Sequence, residues 1–216
     1  MSDSDETDRE SLSVGVVLLA AGESRRMGVP KQLLPFGDTT LIGHAIRQAL
    51  ASGCSSVVVV LGANADSICN TLLDQPVSVV ENPDWREGMG ASIRVGLREL
   101  LRLSPELDGV LLMLVDQPFV KQNDLRELVV GFERSRGCIV ASRYERDEVE
   151  IVGVPALFGR SLFPELLALR GGEGAKKIIL ANYPQTCLFS CPAGIFDLDT
   201  REDYERALVR LNLMQI

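Results

Sequence analysis

"VGVVLLAA", residues Val14 to Ala21, is an uninterrupted run of apolar and small side chains near the start of the chain. Such a run is typical of a strand that is covered on both faces within a parallel sheet. The segment after it, "GESRRMGVPK" from Gly22 to Lys31, combines glycine and proline with two arginines and a lysine. A glycine-containing, basic loop directly after a buried strand indicates a binding site for a strongly negative group.

Apolar strands and amphipathic helices alternate along the following part of the chain. Further strands are predicted from "SVVVVLG", "VSVVEN", "GVLLMLVD" and "CIVAS", and helices for residues 41–50, 65–74, 91–103 and 121–135. This alternation, with short connections, predicts a single-domain α/β Rossmann-like fold with a mostly parallel sheet flanked by helices. Ligands of such sheets bind beyond the carboxyl ends of the strands, so the loop after Ala21 and Asp116 belong to the same edge.

The pattern is less regular after Arg143. Residues 143–158 predict a small antiparallel excursion, followed by short helices near 162–169 and within 171–182. "GIFDLDT", Gly194 to Thr200, is interpreted as the end of a strand, and Thr200 as the cap of a final helix.

The composition limits the classes of protein that this chain can belong to. With 216 residues, 46% of them hydrophobic, the chain is long enough for one globular domain. Residues 1–13 are predicted to be a disordered acidic tail, and residues 14–216 the folded domain. A net charge of −8, with basic side chains concentrated in one loop, argues against a nucleic-acid partner. No apolar run approaches the roughly 20 residues that span a bilayer, so no membrane is expected.

The cysteines and the histidine do not form a metal motif. Five cysteines occur without a CxxC pair, and His44 is the single histidine, so a structural zinc site is not expected. An odd cysteine count and an N-terminus unlike a signal peptide favour a cytoplasmic location. His44 lies on the inner side of a predicted helix and is assigned a structural role.

The basic loop has two interpretations when its residues are considered alone. Glycine frees backbone N–H groups to bind phosphate, and arginine and lysine supply the positive charge. The spacing matches neither the P-loop nor the dinucleotide-binding fingerprint. The alternative is a solvated loop whose basic side chains pair with nearby carboxylates.

The stretch from Leu19 to Leu41 resembles the signature "LAAGxSxRMGxxKxLLxxxGxxLL" of the nucleotidyltransferases that handle the molybdenum cofactor. Further segments follow in that family's order: "NPDWREGMGASIRVGL", "LLMLVDQPFV", "GVPALFGRSLFPELLAL", "GGEGAK" and "FDLDTREDY". The chain is most similar to the molybdenum cofactor cytidylyltransferase branch. That branch shares "LAAG", whereas the guanylyltransferase relatives typically read "LAGG", so Ala21 favours CTP.

The resemblance implies Mg²⁺-dependent transfer of CMP from CTP to molybdopterin, with release of pyrophosphate. Such catalysis consists mostly of positioning and electrostatic stabilisation. By the same resemblance, Arg26 clamps the β- and γ-phosphates, Lys31 lies near the α-phosphate and Asp116 binds Mg²⁺. Asp199 is the expected second metal ligand, with Asp197 as the alternative. The alternative interpretation is that Asp116 is a turn residue and that Asp199 belongs to a helix cap.

The expected partners are CTP and molybdopterin, with a molybdenum hydroxylase or its maturation factor as the protein partner that the resemblance suggests. The residues expected to bind the nucleotide are Leu19, Ala20, Ala21, Gly22, Ser24, Arg26, Gly28, Lys31, Gly90 and Ser92. Gly88 and Gly90 precede a helix and predict a second anion site, for the pterin or the base. Trp85 is placed either over a planar pterin or against the core.

Two positions depart from the family's pattern. Gly171 and Gly172 stand where the family often has Gly-Asp, which removes an aspartate or passes its role to Glu173. Val154 stands where some relatives have a polar residue. Both positions lie in the half expected to contact the acceptor. The alternatives are therefore a related transferase that uses GTP or another phosphorylated acceptor, and a non-catalytic cofactor carrier or chaperone.

Overall fold

The computed structural model describes residues 12–135, 138–146 and 148–213. Most of the predicted acidic tail, residues 1–11, lies outside the described residues. Within them, none of the helices is long and apolar enough to cross a membrane.

A seven-stranded sheet forms the centre of the fold. Its strands are β1 (Val14–Leu19), β4 (Ser56–Leu61), β5 (Ser78–Glu81), β6 (Gly109–Leu114), β7 (Ile139–Arg146), β8 (Val149–Gly159) and β9 (Thr186–Ser190), while β2 (Pro35–Phe36) and β3 (Thr39–Thr40) pair separately. The strand order is β5-β4-β1-β6-β8-β7-β9, and β8 runs antiparallel to both of its neighbours. The predicted mostly parallel sheet with a small antiparallel excursion is confirmed.

Helices cover both faces of this sheet. They are α1 (Leu41–Leu50), α2 (Ala65–Cys69), α3 (Met89–Leu103), α4 (Gln122–Arg134), α5 (Phe163–Ala168), α6 (Ala175–Ala181) and α7 (Arg201–Leu213). One apolar core joins α1, α2, α4 and α7 to the face that carries Val16 and Leu18. A second core joins α3, α5 and α6 to the face that carries Val17 and Leu19. Because alternate residues of β1 enter opposite cores, the whole strand must be apolar.

Three local predictions were wrong. Helix α2 ends at Cys69 rather than near residue 74, because the Thr71 hydroxyl bonds to the carbonyl of Ile68 and Leu73 has no core to enter. Strand β7 extends beyond Ser142 to Arg146, because β8 pairs with it along that length. Gly194 to Thr200 is not a strand end; the last strand is β9, upstream of it.

Strand pairing brings the two predicted site segments together. Leu19 at the end of β1 lies beside Leu114 at the end of β6, so the loops after both strands begin at the same edge. The segment before α7 reaches that edge as well, because the Leu198 N–H donates to the Asp116 carbonyl at 2.9 Å. The predicted cap of α7 is present, since the Thr200 hydroxyl accepts a hydrogen bond from the Asp203 N–H.

Candidate active site

The loop after β1 is compact and internally bonded. Ser24 adopts a left-handed conformation with φ 58°, which begins a single 3₁₀ turn from Arg25 to Met27. Gly28 ends that turn with φ 69°, a conformation that glycine adopts without steric cost. The Ser24 hydroxyl accepts a hydrogen bond from the Lys31 N–H at 3.1 Å, which closes the loop onto a second turn.

Gln32 is a buried polar residue that the sequence analysis did not identify. Its side chain is fully buried, and its Nε2 donates to the carbonyls of Ala20 at 2.8 Å and Gly22 at 2.9 Å. The amide of Gln32 therefore links Ala20, where the loop begins, to Gly22 within the loop. The signal that could have found it is a polar side chain directly before the apolar pair Leu33 and Leu34, where the chain enters the core.

Lys31 lies at the centre of the site. Its Nζ donates to Asp116 Oδ2 at 2.7 Å, to the Leu198 carbonyl at 2.9 Å and to Asp199 Oδ1 at 3.1 Å. Burial disfavours the charged ammonium, but Asp116 and Asp199 outweigh it and hold the pKa of Lys31 above its ordinary value. A raised pKa means that this ion pair is present at neutral pH and is lost only as the pH rises through the folded value.

Arg26 completes the ion-pair network from the exposed side. Its Nη2 donates to Asp199 Oδ2 at 2.8 Å, while 68% of the arginine side chain remains exposed. Burial acts to raise the pKa of Asp199, but Lys31 and Arg26 outweigh it and hold that pKa below its ordinary value. Asp199 is therefore ionised and accepts from two cations at once.

The carboxylates of Asp116 and Asp199 meet the requirements of a hard divalent cation. Asp116 Oδ1 is buried and receives no hydrogen bond from the described residues. The two carboxylates already share one cation, the Lys31 ammonium, so both face the same point. Mg²⁺ and similar ions need only one or two carboxylates in addition to substrate phosphates and water. The residues present therefore fit such an ion.

Asp197 lies close to this pair but does not contact Lys31 within hydrogen-bond distance. Its Oδ1 is 3.5 Å from Gln117 Nε2, and its Oδ2 is 3.5 Å from Arg146 Nη2. Burial and the charge of Asp116 raise the pKa of Asp197. Of the two candidates for second ligand, Asp199 is the one that shares a cation with Asp116.

A cleft of about 700 Å³ opens above this network. Its walls include most of the predicted nucleotide-binding and catalytic residues, namely Leu19, Ala20, Ala21, Gly22, Ser24, Arg26, Lys31, Ser92, Asp116 and Asp199. Gly28 and Gly90 do not line it. Gly28 terminates a turn, whereas Gly90 packs against the segment of Leu169 to Glu173. The volume is within the range of roughly 300–1,000 Å³ that is usual for small-molecule sites.

The start of α3 forms the opposite wall of the cleft. Ser92 is buried and its hydroxyl accepts a hydrogen bond from Asn82 Nδ2 at 3.0 Å. Trp85 also lines the cleft, and the Arg86 guanidinium lies over its ring at 4.4 Å. Trp85 therefore lies at the cleft, and its contact with a planar pterin stays a prediction. Asn82 and Arg86 are further residues that the sequence analysis did not identify.

The Glu173 carboxylate is paired with its own neighbours in the chain. It accepts from Lys177 Nζ at 2.6 Å and from the Arg170 N–H at 2.9 Å. His44 has the structural role expected of it, with Nε2 at 3.0 Å from the Pro118 carbonyl and its ring edge-on to Phe36.

Gly88 is expected to tolerate no side chain. Its φ is 118°, and a Cβ there would lie 2.6 Å from the Gly171 carbonyl oxygen. Gly88→Ala should therefore lower the free energy of unfolding by about 2 kcal/mol or more, through backbone strain and steric overlap. Urea unfolding measures the change. Gly172→Ala is the matched control, since a Cβ at Gly172 would meet nothing within 4 Å. Equal stability of the two variants would contradict the assigned backbone conformation.

The family of the chain follows from its match to a family model. The model described as the MobA-like NTP transferase domain matches residues 16–186, from the first strand to the start of the last. The chain belongs to the MobA-like NTP transferase family. This family assignment makes the protein a nucleotidyltransferase and confirms the resemblance found in the sequence. The match includes Arg26, Lys31 and Asp116 but ends before Asp199.

Similar proteins are known from sequence and from solved structures. Nicotine blue oxidoreductase of Paenarthrobacter nicotinovorans is 34% identical over 170 residues, which are 78% of this chain and 81% of that protein. The crystal structure of Rv0371c from Mycobacterium tuberculosis H37Rv is 34% identical, with a TM-score of 0.75, and covers 91% of this chain and 98% of its own. The structure of Rv0371c in complex with manganese is 31% identical, with a TM-score of 0.73 and the same coverage of both chains. The two solved structures share the fold over 91% of this chain.

Proposed function

We propose that the protein is a Mg²⁺-dependent cytidylyltransferase that transfers CMP from CTP to molybdopterin and releases pyrophosphate. The observation that carries the proposal is the convergence of Arg26, Lys31, Asp116 and Asp199 on one cleft. Two cations, two carboxylates and a glycine-containing loop are the parts that a nucleotidyl transfer needs. The family assignment supports the reaction class, and the "LAAG" segment supports CTP.

Each of the four charged residues has a separate role in the transfer of the nucleotidyl group. Arg26, which is largely exposed, turns from Asp199 to the β- and γ-phosphates and stabilises the departing pyrophosphate. The Lys31 ammonium stabilises the negative charge that develops on the α-phosphate in the transition state. Asp116 and Asp199 would hold the divalent ion, which supplies neutralising charge to the phosphate oxygens. The manganese complex of the relative Rv0371c supports a divalent ion in this family.

The acceptor phosphate attacks the α-phosphorus without a covalent enzyme intermediate. Its oxygen forms the new P–O bond while the bond to pyrophosphate breaks, so no side chain has to act as a nucleophile. The N-terminus of α3, with Ser92, offers a second polar wall for the base or the pterin. A cytoplasmic location, with a molybdenum hydroxylase or its maturation factor receiving the product, completes the proposal.

A nucleotide panel tests the reaction. With molybdopterin and Mg²⁺, pyrophosphate release from CTP should exceed release from GTP or ATP by about tenfold or more. EDTA should stop the reaction, and Mn²⁺ should restore it. Equal rates with all nucleotides would refute the choice of CTP. If pyrophosphate is released from CTP only with another phosphorylated acceptor, that compound and not molybdopterin is the acceptor substrate. Molybdopterin binding without any turnover would favour a carrier.

A further inference from the structure

Three backbone carbonyls at the start of the loop after β1 accept hydrogen bonds from the protein. The Ala20 and Gly22 carbonyls accept from Gln32 Nε2 at 2.8 and 2.9 Å. The Ala21 carbonyl between them accepts from the Ala63 N–H at 3.1 Å. Three successive peptide oxygens are therefore occupied by protein donors.

Part of the same loop leaves its peptide N–H groups without a protein acceptor. Among the described residues, no protein acceptor receives a hydrogen bond from the backbone N–H groups of residues 21–26, whereas those of Met27, Gly28 and Lys31 are bonded. Residues 21–26 line the cleft. Successive N–H groups without protein partners, next to a cleft, form a concave site suited to an anion.

We propose that Gln32 is the positioning residue of this anion site, and that its amide sets the direction of the loop peptides toward the nucleotide's phosphates. This inference depends on the proposed function of the loop as the phosphate site. By holding the carbonyls of Ala20 and Gly22, Gln32 fixes the peptide planes that follow them. The N–H groups of those planes then point away from the core before any ligand arrives, which removes an ordering cost from binding.

Gln32 also couples the loop to Lys31. The Ser24 hydroxyl is 3.4 Å from Gln32 Oε1 and accepts from the Lys31 N–H at 3.1 Å. The side chain thus uses its donor and its acceptor on the same loop, and it is fully buried. All of the side-chain hydrogen bonds given for Gln32 are made with this loop, so the role that they indicate is to hold the loop in its conformation.

Gln32→Met is the informative variant, because methionine keeps the length of the side chain and removes both donated bonds. Binding is followed by the fluorescence of Trp85, the single tryptophan, which lines the cleft. The affinities for CTP and for inorganic pyrophosphate should both fall by about 10- to 100-fold. The affinity for cytidine, which has no phosphate, should stay the same. A purely structural role for Gln32 would not separate pyrophosphate from cytidine.

Gln32→Asn is the second variant, in case the methionine protein does not fold. Its shorter amide should lose one of the two carbonyl bonds and give a smaller loss of pyrophosphate affinity. Gln48→Met is the matched control: Gln48 Oε1 accepts from the Gln122 N–H at 2.9 Å, between α1 and α4 and away from the cleft. This control should bind pyrophosphate as the unmodified protein does.

Two failures of this experiment have different meanings. If the unmodified protein binds CTP and pyrophosphate and the Gln32 variants bind them within about twofold of it, the positioning role is overturned and the proposed function stands. If the unmodified protein binds neither ligand, the proposed function fails, and the inference fails with it.

Discussion

Asp116→Asn is expected to lower the rate of pyrophosphate release from CTP by about a thousandfold or more, while the protein still folds. Asparagine has the same shape and can still accept the hydrogen bond from Lys31 Nζ that Asp116 Oδ2 accepts at 2.7 Å. It removes the negative charge and the buried, unpartnered Oδ1 that would bind the divalent ion. Single-turnover assays with Mg²⁺, together with urea unfolding, measure both parts of the expectation.

Asp108→Asn is the matched control for this loss. Asp108 lies at the opposite end of β6, where its Oδ2 accepts from the Ser13 N–H at 2.8 Å, so its loss should leave turnover unchanged. Asp199→Asn and Asp197→Asn then separate the two candidates for second ligand. Asp199→Asn should reduce turnover strongly and Asp197→Asn only weakly. Full activity of Asp116→Asn would refute the metal assignment.

Lys31→Met is expected to reduce turnover by about a hundredfold or more, and at the same time to tighten the binding of Mn²⁺ alone by about tenfold. The ammonium now stands between the carboxylates that would hold the ion, 2.7 Å from Asp116 and 3.1 Å from Asp199. A divalent ion must therefore displace or repel it in the absence of nucleotide. Removing the ammonium ends that competition but also removes the charge that, under the proposed function, stabilises the α-phosphate.

Electron paramagnetic resonance of free and bound Mn²⁺ measures this change in affinity. Mn²⁺ should also raise the melting temperature of Lys31→Met more than that of the unmodified protein, because it replaces the missing countercharge. Lys177→Met is the control, since Lys177 pairs with Glu173 on the surface, away from the cleft. Weaker Mn²⁺ binding by Lys31→Met than by the unmodified protein would show that the lysine does not compete for this position.

The fold was predictable because continuous apolar runs indicate buried strands and apolar residues at helical spacing indicate helices. Strands β1 and β6 are buried on both faces and have no alternative to a covered sheet. The candidate site was predictable only in part. Arg26, Lys31 and Asp116 were chosen by their resemblance to a signature, and strand order then explains why they meet: β1 and β6 are neighbours although β4 and β5 lie between them in the chain.

The rest depends on contacts between distant segments. Gln32 stands at a variable position of the signature, and the two carbonyls to which it donates show how it holds the loop. The sequence predicts the end of a strand in the segment before α7, which the structure contradicts. Its single backbone bond to Asp116 and its contacts with Lys31 hold it outside the sheet instead.

The contact between Lys31 and Asp199 joins residues that are 168 positions apart. During translation, the loop leaves the ribosome long before its second carboxylate has been made. A nascent chain or a truncated product that lacks the final helix and the segment before it would carry the lysine with half of its countercharge. Such a product would retain most of the sheet, yet the loop after β1 would lack the contacts with Asp199 that hold Arg26 and Lys31 in the folded protein.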